Sequence, residues 1–196
     1  MRDANLQDSL LVIADNLTIN AGNNLFDSFN GINSQSRVNS ISATAGSTPI
    51  PDGDQEGLRE ATISLVNTGQ LTIDNIDLNT GLVRVINNNG FLTVNNVNLV
   101  STSNDNRVFI QTIGNAADIA IGGVNAGLNG TVAIDSGDDI FDTDALDSLF
   151  VEGGFLSATS RNGTDDAFDG IILNVDVDDF FADAQLDGEA FVRQNG

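Results

Sequence analysis

Apolar and polar residues alternate along much of the chain, and one alternating phrase recurs at regular intervals. LTIDNIDL (71–78) and LTVNNVNL (92–99) align position by position at an offset of 21 residues. IAIGGVNA (119–126) follows at a further 27 residues, while LTINAG (17–22) is a partial copy and TISLVNTG (62–69) a looser one. Period-two alternation predicts half-buried strands, and repeats of about 20–50 residues predict stacked units rather than a conventional globular core.

Each unit has the form strand, two-residue corner, strand. In the second copy, Leu92 and Val94 point to one side, and Val97 and Leu99 return to that side after the bend. Asparagine suits such a corner because it tolerates left-handed backbone and bonds its own main chain, and stacked amides also bond one another. The corner positions that we assign a structural role are Asn75, Asn95, Asn96 and Gly123.

Two repeat architectures fit this pattern, a parallel β-helix and a leucine-rich repeat. A leucine-rich repeat carries Asn or Cys three residues after the last leucine of its motif, whereas Gly81 and Thr102 stand there. The intervening GLVRVINNNG (81–90) also reads as a further strand and turn rather than a helix. We therefore predict an all-β fold, a parallel β-helix (β-solenoid) of short 21–27-residue coils.

The composition changes near residue 135, where the chain becomes acidic and rich in phenylalanine. We divide it into a β-helix repeat region over 1–134 and an acidic C-terminal region over 135–196. The second region is predicted to form the last coils, a cap over the open end of the solenoid, or a contact for another chain, since an uncapped coil exposes backbone and core. The stretch 138–150 partly fits a helical stripe and predicts a short helix.

Composition excludes several classes of function. The 196 residues include 28 acidic and 7 basic side chains, for a net charge of −21. This charge argues against nucleic acid and anionic membranes as partners, and it favours solubility, tolerance of salt or surface divalent cations. Histidine and cysteine are absent, which rules out Ser-His-Asp triads, HExxH sites and zinc–thiolate sites.

The N-terminus MRDANLQDSLLVIAD lacks the basic segment and apolar core of a secretion signal. No apolar run approaches the ~20 residues that a membrane span needs. We therefore expect a chain that is soluble as it stands.

The run SNDNRVFIQTIGNAADIAIGGVNAG (103–127) resembles the right-handed parallel β-helix repeats of bacterial cell-surface and secreted proteins of the adhesin type. SQSRVNSISATAG (34–46) and GLVRVINNNG resemble the first half of that repeat, and the aligned phrases resemble the second. DGDQEGLREAT (52–62) resembles the D-G-x-C-S-L-R-E-A segment of some such proteins, with Glu56-Gly57 in place of Cys-Ser. The resemblance covers about residues 10–134. It implies the fold and an extracellular or cell-surface setting, but it does not specify an activity.

The densest group of carboxylates lies just after the repeats and is a candidate Ca²⁺ site, because Ca²⁺ takes six to eight oxygen ligands. The candidate ligands are Asp135, Asp138, Asp139, Asp142 and Asp144, with Asp147 nearby. A solvated acidic loop is the alternative interpretation. SGDDIF also resembles the G-D-D element of polygalacturonase-type hydrolases, but the N-T-D, G-H-G and R-I-K elements of that family are missing.

A second candidate metal group is DGDQEG, with Asp52, Asp54 and Glu56 at alternate positions. It does not match an EF-hand, because the twelfth position from Asp52 is Ile63 rather than glutamate. A plain Asp-Gly turn is the alternative there. Arg84 and Arg107 start strands and are expected to pair with neighbouring aspartates rather than act as a catalytic base.

These observations favour a non-enzymatic structural or adhesive β-helix module that self-associates into a filament or joins a larger surface assembly, with Ca²⁺ as its candidate stabilising ion. The alternative is a polysaccharide lyase or glycoside hydrolase on the same scaffold, which uses calcium and aspartates such as Asp138 and Asp139. A third hypothesis is a fibre component that trimerises and binds host glycans. No catalytic residue is assigned.

Overall fold

The computed structural model of the chain describes residues 12–21, 31–46, 61–143, 151–161, 170–185 and 188–195. Within these ranges the chain forms strands and no helix, so none is long and apolar enough to cross a bilayer. The strands are β1 (Val12–Ala21), β2 (Gly31–Ala45), β3 (Ala61–Thr68), β4 (Leu71–Leu78), β5 (Gly81–Asn88), β6 (Leu92–Val94), β7 (Val97–Leu99), β8 (Arg107–Ile113), β9 (Ile119–Ile121), β10 (Val124–Asn125), β11 (Thr131–Ser136), β12 (Ile140–Asp142), β13 (Val151–Ser160), β14 (Gly170–Ala184) and β15 (Glu189–Gln194).

All strand pairs are parallel and belong to one sheet that coils about an axis as a β-solenoid of about six turns, with roughly 24 residues in each coil. The pairings place the strands in three columns. The first column includes β3, β5, β8 and β11, and the second includes the first half of β4, then β6, β9 and β12. The third contains the second half of β4, then β7, β10 and the start of β13. The prediction of an all-β parallel solenoid is confirmed.

The strand register reproduces the sequence repeat. Leu71 pairs with Leu92, which pairs in turn with Ile119, so the offsets of 21 and 27 residues are the lengths of two successive coils. Ile76 and Val97 align in the same way in the third column. The longer second coil accommodates the turn at 100–106, which the shorter coil lacks.

The corner residues lie between the second and third columns. Asn95 and Asn96 separate β6 from β7, and Asn75 lies inside β4, where the register with β2 shifts by one residue. The Asn96 side-chain amide donates to Asn75 Oδ1 at 2.5 Å on the preceding coil. Gly123 follows on the next coil, between β9 and β10, and has no side chain to extend this ladder.

Some expectations from the sequence need correction. The looser copy TISLVNTG falls in β3 of the first column, where it pairs with β5 rather than with the aligned phrases. A leucine-rich repeat is excluded, because the described turns carry parallel strands on every side. The prediction of a helix over 138–150 is wrong for its first part, because β12 lies there and pairs with β9 and β14. Residues 144–150 lie outside the described ranges. The division at 134/135 stays a prediction; residues 134 and 135 both lie in β11, which pairs with β13.

Inward-facing aliphatic side chains form a continuous core along the coil axis. Alternate residues of β3, β4 and β5 are buried, as the period-two pattern requires. The largest fully buried side chains are Ile32, Ile41, Ile63, Leu65, Leu71, Ile73, Ile76, Leu78, Leu92, Leu99, Ile110 and Ile119. Burial of a side chain of this size stabilises the fold by about 1.5–3 kcal/mol, so this core is the main source of stability.

A column of polar side chains is buried at the carboxyl ends of the first-column strands. Its members are in register on successive coils and are all at most 2% exposed: Ser36, Asn67, Asn87, Thr112, Ser136 and Ser160. Asn67 Oδ1 accepts from Ser36 Oγ at 3.2 Å, and the hydroxyl oxygens of Thr112 and Ser136 lie 3.2 Å apart. The hydroxyls of Thr112 and Ser136 both donate to the carbonyl of Ala117. These bonds hold the corner that follows each strand.

One sharp turn between coils depends on a glycine. Gly81 has φ +129°, and a Cβ built on it would lie 2.1 Å from the Ala61 carbonyl oxygen on the preceding coil. Only glycine permits both this backbone conformation and this approach. The buried side chain of Asn106 secures the same region, since its Oδ1 accepts from Thr80 Oγ1 at 2.9 Å and from Gly81 N at 3.1 Å.

Candidate metal centre

Three aspartates converge at the corner between the first and second columns. Asp118, Asp138 and Asp139 each present a carboxylate oxygen, and these oxygens all lie within 4.8 Å of one another. Asp138 is 5% exposed and Asp139 is 2% exposed, whereas Asp118 is half-buried. We refer to these three residues as the acidic triad. It is the one such group of metal-binding side chains in the described ranges.

The buried polar column positions the triad. Ser136 Oγ accepts the backbone N–H of Asp138 at 3.3 Å, and Ser160 Oγ donates to the Asp138 carbonyl at 2.7 Å. The tight turn between Ser136 and Asp138 uses Gly137, where a Cβ would lie 2.1 Å from the Gly114 carbonyl oxygen. The backbone of Asp138 is therefore held by Ser136 of its own coil and by Ser160 of the next coil.

Backbone N–H groups already bind part of the triad. Asp139 Oδ1 accepts from Gly170 N at 2.6 Å, and Asp118 Oδ1 accepts from Asp139 N at 3.3 Å. These bonds link three successive coils, since Asp118, Asp139 and Gly170 precede β9, β12 and the paired part of β14. A carboxylate that accepts a backbone N–H is stabilised in its charged form.

Full ionisation of all three carboxylates in this mostly buried corner would be unfavourable without a counter-charge. Two full negative charges 4.8 Å apart repel by about 3.5 kcal/mol at an effective dielectric constant near 20. A bound cation or a shared proton removes this repulsion. Because the triad offers only oxygen atoms, it suits a hard cation such as Ca²⁺ rather than zinc.

The sequence prediction identified two members of the triad and missed the third. Asp118 was not among the candidates, although it precedes Ile119 as Asp139 precedes Ile140. These two pairs lie 21 residues apart, the offset of the first repeat, and Ile119 pairs with Ile140. Extending the repeat alignment past residue 126 places Asp118 beside Asp139, so the signal was present in the sequence.

Two other predicted ligands bind different groups. Asp135 lies on the outward side of β11, where it forms an ion pair with Arg161 at 2.5 Å and accepts from Gln111 Nε2 at 2.8 Å. The pKa of Arg161 is raised, first by its hydrogen bond to Asp135 and then by the attraction of the two charges. Asp142 Oδ2 accepts from Asn174 Nδ2 at 3.1 Å.

The remaining candidates divide between the undescribed and the described parts of the chain. Asp144, Asp147, Asp52, Asp54 and Glu56 lie outside the described residues. Arg84 was expected to pair with an aspartate, and its guanidinium carbon lies 6.0 Å from the ring centroid of Phe109 on the next coil. Arg107 is exposed at the start of β8.

Comparison with known proteins adds no relative. No family model matches the chain, and no curated protein or solved structure matches it significantly.

Proposed function

We propose that this chain is a structural and adhesive module of an extracellular or cell-surface assembly, and that the β-solenoid performs this role. The observation that carries this proposal is the stacked core, which runs through every described coil beneath an acidic exterior. Such a coil is a stiff spacer with a repeated lateral surface, and its stability is a sum of contacts between neighbouring coils. The acidic, lysine-free composition suits surroundings rich in salt and cations.

Self-association is the second part of this proposal. Phe180 in β14 pairs in register with Leu156, an inward-facing core residue, yet it is 47% exposed. By contrast, Ile32, which is an inward residue of β2 in the same column near the other end of the described coil, is fully buried. The last described turn therefore presents apolar surface and strand backbone to which the strand of another copy can be added.

Calcium stabilisation is the third part. The acidic triad has mutually repelling oxygens in a buried corner, held by three coils, and binding of a divalent cation there would link those coils. A rise of the melting temperature on addition of Ca²⁺ tests this part separately.

Sedimentation velocity over a range of protein concentrations, with negative-stain microscopy, tests the assembly proposal. We expect concentration-dependent, end-to-end association that Phe180→Asp weakens. The matched control is Phe155→Asp, because Phe155 is similarly exposed at 40% but faces outward from β13. A wild-type chain that stays monomeric at every concentration, with and without Ca²⁺, contradicts self-association.

We give the polysaccharide-cleaving alternative less weight. Hydrolysis by paired carboxylates requires both groups to reach the glycosidic bond. Asp138 and Asp139 are nearly inaccessible to solvent, and the Asp139 carboxylate already accepts a hydrogen bond from the backbone N–H of Gly170 on the next coil. A glycan panel assayed with the wild-type chain tests this alternative directly.

A further inference from the structure

An apolar stripe runs along the outside of the second column. Phe141, Ile172 and Phe191 are in register on three successive strands, β12, β14 and β15, and they face away from the core. Ile172 is 41% exposed and Phe191 is 56% exposed, although outward positions of this solenoid are mostly polar. We call these three residues the stripe.

The first residue of the stripe is packed in place. The rings of Phe91 and Phe141 lie 5.8 Å apart between centroids and are inclined at 48°. Ala120, which pairs with Phe141 on the coil between them, is only 3% exposed. The stripe therefore begins on a fixed aromatic pair, and adjacent strands about 4.8 Å apart set the spacing of the rest.

The surroundings of the stripe are acidic. Asp142 follows Phe141, Glu189 lies two residues before Phe191, and Asp118 lies at the corner beside Ala120. Arg193 is the basic residue that the described strands place next to the stripe. The whole chain carries a net charge of −21. A second copy placed face to face on the stripe would bring like charges together, whereas a cationic partner would gain from the same field.

The chain itself contains an example of the expected contact. Arg84 lies over the ring of Phe109 at 6.0 Å, on the outside of the first column. A guanidinium group over an aromatic face is attracted by the negative face of the ring, and this attraction persists at exposed sites.

We propose that the stripe is a docking surface for a basic protein segment in which arginine or lysine alternates with apolar residues. The apolar side chains contact Ile172 and Phe191, and the cations lie over the phenylalanine rings and beside Asp142 and Glu189. This inference goes beyond the proposed scaffold role and does not depend on it, since a monomeric solenoid would present the same stripe.

A synthetic peptide of alternating arginine and leucine with one tryptophan tests the inference. The chain has neither tryptophan nor tyrosine, so the fluorescence of the peptide reports binding without background. We expect saturable binding that the double variant Ile172→Ser/Phe191→Ser weakens by about tenfold or more. The matched control is Phe155→Ser/Phe181→Ser, which removes two similarly exposed rings from the first column and should leave the affinity unchanged.

Two further peptides separate the apolar and ionic contributions. A citrulline analogue, which lacks the charge, should bind far more weakly. An arginine–serine analogue should bind weakly and equally to all variants, because it has only non-specific attraction. Equal affinity of the leucine peptide for both double variants overturns the inference, as does undiminished binding of the citrulline analogue. If the wild-type chain forms a dimer and only the stripe variant loses it, the stripe binds a second copy of the chain. That result also overturns the inference.

Discussion

Asn67 donates its side-chain amide to Asn87 Oδ1 at 3.1 Å, across two adjacent coils and with both side chains at most 1% exposed. Asn67 Oδ1 also accepts the backbone N–H of Val38 at 2.9 Å, and Asn87 Nδ2 donates to the carbonyl of Gly90 at 2.9 Å. The pair thus connects three coils through the interior. Because the alternatives to these bonds are buried unsatisfied groups, the pair opposes any slip of the strand register.

Truncation of Asn87 should therefore be costly. Asn87→Ala leaves the Asn67 amide without its acceptor, and we expect the free energy of unfolding to fall by about 1–3 kcal/mol. Urea unfolding followed by circular dichroism measures this change. Asn104→Ala removes an exposed amide and should change stability by less than about 0.5 kcal/mol. Equal effects at the two sites would contradict a role for the buried amides.

Two serines of β2 should respond to alanine substitution with opposite signs. Ser34 Oγ is buried and has no hydrogen-bond partner among the described residues, whereas Ser36 Oγ donates to Asn67 Oδ1 at 3.2 Å. Ser34→Ala should stabilise the chain by about 1 kcal/mol, since it removes an unsatisfied hydroxyl, and Ser36→Ala should destabilise it by a similar amount. Thermal melting of both variants compares them, and a loss of stability in Ser34→Ala contradicts the interpretation.

Two glycines with positive φ separate backbone strain from steric contact. Gly81→Ala places a methyl group 2.1 Å from the Ala61 carbonyl oxygen, whereas Gly69, with φ +101°, has no atom within 4 Å of the added carbon. We expect Gly69→Ala to cost about 1–2 kcal/mol from conformation alone, and Gly81→Ala to cost distinctly more or to prevent folding. Similar losses in the two variants would mean that the coil spacing relaxes freely at Gly81.

Calcium should raise the melting temperature of the wild-type chain. A cation that binds only the native state stabilises it by about 2.7 kcal/mol at a concentration of 100 Kd. Asp138→Asn/Asp139→Asn should abolish this response, and it should also raise stability in the presence of a chelator, because it removes the repulsion within the triad. Asp74→Asn, at an exposed position in β4, is the control. An identical calcium response in both variants assigns the effect to the general surface charge.

The sequence predicted the repeating core well and the polar interior poorly. The pairs Leu71–Leu92 and Ile76–Val97 could be inferred because apolar alternation and a constant offset both specify them. The burial of Asn67 and Asn87 was not predicted, since nothing local distinguishes an inward asparagine from an exposed one. Their burial follows only from the coil, which brings residues 20 positions apart into contact.

The same distinction applies to the candidate metal centre. Sequence proximity grouped Asp138 and Asp139 with Asp135 and Asp142, but the strand and its corner direct these carboxylates to different neighbours. The pairing of β9 with β12 brings Asp118 next to Asp138 and Asp139.

By itself, the sequence determined the parallel coil, its inward aliphatic residues and the absence of histidine- and cysteine-based chemistry, because those properties depend on residue type and period. Tertiary structure alone decided which carboxylates meet, which polar groups are buried and which phenylalanines form the exposed stripe. These features depend on contacts between successive coils, and such contacts are set by the length of each intervening turn rather than by local pattern.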